Sequence, residues 1–81
     1  MVRRGAEPSE AEVWGRLCEM LAELRRQAGL SQEELAQRIG KHQTFISKLE
    51  AGVRRPGLLD VWAICQATGV RFSEVARRLE R

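Results

Sequence analysis

At 81 residues the chain is long enough for one small domain and too short for two. Hydrophobic residues make up 43% and aromatic residues only 5%, with no alternating or β-branched runs, so helix is favoured over sheet and an all-α fold is expected. The formal net charge of +3 is modest, and the distribution of charge says more than its total. Residues 1–8 read as a flexible arm that includes Arg3 and Arg4, a solvated terminus without a motif, and residues 9–81 as the folded domain. Ser9 then caps a first helix, with Glu12 completing a capping box. Trp14, Leu17, Leu21, Leu24 and Ala28 recur at helical spacing as its buried stripe. Gly15 weakens that helix by about 1 kcal/mol relative to alanine, and Gly29 ends it.

The stretch from Leu30 to Gly52 predicts two short helices and a tight turn. Ser31 and Glu34 form a second capping box, and Leu30 with Leu35 supplies a hydrophobic staple. Gly40 ends this second helix in the left-handed conformation. A third helix follows Lys41 and His42, with Ile46 and Leu49 inward and Gln43, Thr44, Ser47 and Lys48 on the opposite, polar face. Phe45 lies at the rim between the two faces and is assigned to the core. Small Ala36 lets the second and third helices cross closely. Val53 to Gly57 is a loop, because Pro56 and Gly57 break any helix. Leu58 to Thr68 predicts a fourth helix with Leu58, Val61, Ile64 and Cys65 inward and Trp62 without a place in the core, ended by Gly69. A short fifth helix from about Phe72 to Leu79 gathers Phe72, Val75, Ala76 and Leu79 on one side.

The Ser31-Gln32-Glu33-Glu34-Leu35-Ala36 opening, the glycine turn and the Ile46-Ser47-Lys48-Leu49-Glu50-Ala51-Gly52 ending together resemble the XRE or lambda-repressor-like family of helix-turn-helix DNA-binding domains. The resemblance covers roughly Leu17 to Leu79 and implies a compact five-helix domain. It also implies a sequence-specific transcriptional regulator that occupies an operator in double-stranded DNA and blocks or recruits polymerase. Gln43, Thr44, Ser47 and Lys48 are then the base-reading residues, and Gln32, Lys41, Arg54 and Arg55 the phosphate contacts. By the same resemblance Arg25 pairs with Glu50, tying the first helix to the end of the third. The chain departs from the family at Lys41, usually apolar, at His42, usually a capping Ser or Thr, at Ala51, often an asparagine, and at Thr68, usually leucine.

Between Leu35 and Gly57 five cations face one glutamate, whereas Glu7 to Leu24 holds five glutamates and one arginine. Such polarisation suits a polyanion approached from one side. Surplus apolar side chains predict a homodimer on an inverted repeat, with Trp62, Phe72, Val75 and Leu79 as candidate contacts. The competing reading is an antitoxin or another protein-interaction module that docks a partner through the same fold; the amide and basic residues kept between Gln43 and Lys48 favour DNA. No nucleophile with histidine and carboxylate and no glycine-rich phosphate loop is present, so an enzyme is not expected. Cys18 and Cys65 lack metal-ligand spacing with His42, which leaves two reduced core thiols and no metal or cofactor. No signal-like or membrane-spanning segment is read, and no small-molecule effector site is evident, so a cytoplasmic protein is expected.

Overall fold

The structure is a computed structural model that describes residues 8–80; Arg3, Arg4 and the arm assigned to residues 1–8 lie outside it except for Pro8. Five helices follow in order: α1 Glu10–Gln27, α2 Gln32–Arg38, α3 Gln43–Glu50, α4 Leu58–Thr68 and α5 Phe72–Leu79. Local chemistry accounts for their starts. Ser9 Oγ accepts from the Glu12 amide at 3.1 Å while Glu12 accepts from the Ser9 amide, and Ser31 and Glu34 repeat the arrangement at 3.0 and 2.8 Å. Each box satisfies two backbone donors that the first turn leaves without helical partners. The start of α4 uses half of this device, with the Gly57 amide donating to Asp60 at 2.8 Å. His42 stands at the N-cap of α3 and makes no side-chain cap bond.

Stops are equally local. Gly40 takes φ 70°, which brings its own amide to the Gln37 carbonyl and the Lys41 amide to the Ala36 carbonyl. That pair of bonds closes α2 and sets the two-helix turn. Gly52, at φ 76°, closes α3 in the same way with Val53 bonded to Lys48.

Burial then selects one face of each helix. Leu21 and Leu24 of α1, Leu35 and Ala36 of α2, Ile46 and Leu49 of α3, Ile64 and Cys65 of α4, and Val75 of α5 share one core. Helices α2 and α3 pack most closely on each other, and α1 touches α3, α4 and α5. The polar face of α3 is therefore carried on the shared core through Ile46 and Leu49. Both cysteines are buried and free, and burial pushes both thiols above their ordinary range.

Three sequence expectations are corrected here. Leu58 is 72% exposed at the first residue of α4, on the rim of an apolar hollow, whereas Val61 one turn on is 5% exposed. Ala28 is exposed at the C-cap of α1, where the stripe has already run off the core. Val75, expected among the contacts between subunits, is 2% exposed and belongs to the core of the single chain. Thr68 keeps a polar group at a half-buried position, and its hydroxyl donates to the Ile64 carbonyl at 2.8 Å. Among the described residues no helix is long and apolar enough to cross a membrane.

Candidate nucleic-acid interface

Gln43, Thr44 and Lys48 are exposed on α3 and Ser47 is half-buried beside them, so the four form one polar face whose reverse is the core pair Ile46 and Leu49. The face starts in the first turn of α3, where Gly40 has just redirected the chain. Lys41 lies before this turn, and Arg54 lies after the end of α3. Phe45 brings them together: the Lys41 Nζ sits 5.0 Å from the ring centroid and the Arg54 guanidinium carbon 4.8 Å from it. The ring itself is half-buried against the core, so two cations flank the polar face on a fixed aromatic support. Arg55 points elsewhere, stacking on Trp14 of α1 at 4.7 Å and donating to Glu10 at 3.2 Å.

Beneath the polar face runs a chain of hydrogen bonds. Gln43 Nε2 donates to Gln32 Oε1 at 2.8 Å, and Gln32 Nε2 donates to Glu50 Oε1 at 3.0 Å. Glu50 also accepts from Arg25 Nε at 2.6 Å and Arg25 Nη2 at 3.0 Å. The Arg25 Nη1 donates on to the Leu30 carbonyl at 2.8 Å. The pair is largely shielded, with 13% of the Arg25 side chain and 9% of Glu50 exposed. Burial pushes the Glu50 carboxyl up, but the bonds from Arg25 and Gln32 and the charges of Arg25 and Arg26 outweigh it and hold the group below its ordinary value.

This chain has a chemical consequence for Gln43. Bonding to Gln32 occupies one of its amide hydrogens and leaves the carbonyl oxygen and the other hydrogen available on an exposed side chain. Those are the two groups an adenine edge requires, N6–H to the oxygen and N7 from the amide. Gln32 sits in the first turn of α2, half-buried, where it braces Gln43. Sequence reasoning paired Arg25 with Glu50 through the resemblance but missed the two glutamine links that extend the pair to Gln43; glutamines opening both α2 and α3, on the side that ends at Glu50, were the available signal. Among the described residues no cluster of His, Cys, Asp and Glu suited to a metal ion occurs.

The fold is shared with known proteins. The helix-turn-helix family pattern matches residues 21–75. An uncharacterised HTH-type transcriptional regulator, y4dJ, of Sinorhizobium fredii (strain NBRC 101917 / NGR234) is 43% identical over 54 residues, which span 67% of this chain and 70% of that protein. Among solved structures, an XRE-family like protein from Pseudomonas syringae pv. tomato str. DC3000 superposes with a TM-score of 0.80 at 33% identity, covering 85% of this chain and 84% of the other. The restriction-modification controller protein C.Esp1396I, solved as a tetramer in complex with its natural 35 base-pair operator, superposes with a TM-score of 0.75 at 21% identity, covering 89% and 92%. With the family pattern spanning most of its length and five helices in the matching arrangement, the chain belongs to the XRE-type helix-turn-helix family of non-enzymatic, DNA-binding transcriptional regulators.

Proposed function

We propose that this protein reads an operator sequence by laying α3 in the major groove, with Gln43, Thr44, Ser47 and Lys48 toward base edges. The observation that carries the reading is the Gln43–Gln32–Glu50–Arg25 relay, which gives the leading amide of α3 a hydrogen-bonded support anchored on a shielded ion pair. A preorganised amide discriminates well because little side-chain freedom is lost on binding. Gln43 makes a bidentate contact to adenine, Lys48 donates to guanine, and Thr44 donates a hydrogen bond or sets its methyl against thymine. Lys41, Arg54 and Arg55 take phosphates and fix the register of the helix, with Gln32 offering to the backbone the one amide hydrogen that its bond to Glu50 leaves over.

Two copies acting together complete the proposal. Leu58, Leu59 and Trp62 of α4 are 72%, 76% and 51% exposed, and Phe72 of α5 is 36% exposed. Leu58 and Phe72, with Leu79, border an apolar hollow of about 120 Å³ that also reaches Leu17 and Val75, while Trp62 lies beside Arg38 and Ile39 instead. A second copy set against this face covers it and presents two α3 helices to half-sites about 34 Å apart. C.Esp1396I, which has the same fold, assembles on its operator as a tetramer. Selection of bound sequences from a random duplex pool tests the whole reading at once. An inverted repeat is the expected outcome; recovery of no preferred sequence would overturn it.

A further inference from the structure

The two loop arginines diverge, and their partners differ in kind. Arg54 rests on Phe45 of α3, beside the polar face. Arg55 instead reaches the beginning of α1, a segment that precedes the family match at residue 21. Its guanidinium carbon lies 4.7 Å above the Trp14 ring, and its Nη2 donates to Glu10 Oε1 at 3.2 Å. The indole is half-buried with its Nε1 shut off from solvent, and its face takes the planar cation. Glu10, by contrast, is 81% exposed at the side chain, and Arg55 is 58% exposed. One surface of the guanidinium thus rests on the ring while its hydrogen-bonding edge carries an exposed anion.

Building on the DNA-binding reading above, we infer that Glu10 is an intramolecular stand-in for a DNA phosphate at Arg55. The carboxylate presents oxygen acceptors and negative charge to the same edge that a phosphate would take. While the pair is made, Arg55 is neutralised and contributes little to attraction of a duplex. Binding exchanges one anion for another, so Glu10 lowers affinity for every duplex without regard to sequence. The stack on Trp14 keeps the guanidinium in place through that exchange. Beginning at Glu10, α1 is therefore a brake on non-specific binding that the matched family segment does not contain.

A double-mutant cycle on the full chain decides the matter. Wild type, Glu10→Gln, Arg55→Ala and the double variant are titrated with a selected operator and with a scrambled duplex between 50 and 200 mM salt, after circular dichroism has shown all four folded. Glu10→Gln should tighten binding about two- to fivefold on both duplexes, the range that release of an exposed ion pair allows. It should also steepen the salt dependence by up to about one counterion. In the Arg55→Ala background the same substitution should leave affinity and slope unchanged. An equal gain in both backgrounds would overturn the inference, because Glu10 would then act only as a distant negative charge; so would no gain in either. Failure of the wild type to bind any duplex would instead overturn the DNA-binding reading itself.

Discussion

Glu50 accepts three hydrogen bonds from Arg25 and Gln32, and its removal strands a shielded guanidinium as well as loosening Gln32. Glu50→Ala should destabilise the fold by about 3 kcal/mol, the low end for breaking a shielded pair. The chemical-denaturation midpoint measures this, and an unchanged midpoint would remove the pair from the account. Protonation gives a second, gentler test. A carboxyl held below its ordinary 4.5 in the folded state contributes fully above that value and loses its contribution as pH falls through the lower, folded one. Stability should thus decline on acidification below about pH 4.5, and the decline should be shallower in Glu50→Gln. It should not vanish, because Glu12, Glu34 and Glu74 are also held low, the first two by their capping serines and the third by Arg77 and Arg78. Arg25 and Glu50 were legible as a pair only through the family resemblance. Nothing in their local sequence joins residues on different helices, and the contact exists because α1 and α3 share the Leu24 and Leu49 core.

Helix boundaries were the most legible feature, because Ser9 with Glu12 and Ser31 with Glu34 bond within three residues of each other. Faces were less so. Leu58 has the spacing of Val61 and Cys65 yet emerges into solvent, since periodicity says which residues share a side and not where the covering elements stop. Two positions remain locally suboptimal. His42 leaves the N-cap of α3 without a side-chain acceptor, so His42→Ser should raise stability by about 1 kcal/mol, read as an upward shift in thermal midpoint. Gly15 lies inside α1, and no neighbouring atom stands within 4 Å of the place an alanine methyl would take. Gly15→Ala should therefore likewise add up to about 1 kcal/mol. A midpoint lowered by Gly15→Ala would mean that a methyl there disturbs the helix or its neighbours.

For the whole molecule, the α4 and α5 surface carries the proposed assembly. Phe72 is accessible whereas Val75 is not, so Phe72→Glu should leave the chain folded while shifting sedimentation from dimer to monomer. Wild type that sediments only as monomer at high concentration would contradict assembly through this face. Long-range pairs such as Glu10 with Arg55 and Lys41 with Arg54 on Phe45 were invisible in the sequence, because they depend on how loops lie across helices and leave no periodic trace. The polar face of α3 was visible, since four polar residues opposite Ile46 and Leu49 fit a single helix surface. Its role is tested most directly by titrating wild type, Gln43→Ala and Arg54→Ala with a selected operator and a scrambled duplex of equal length. The account predicts that Gln43→Ala costs about 1 to 3 kcal/mol on the operator alone, while Arg54→Ala weakens both duplexes alike and reduces the salt slope by about one. Equal losses on both duplexes for Gln43→Ala would contradict the assignment of α3 as the reading helix.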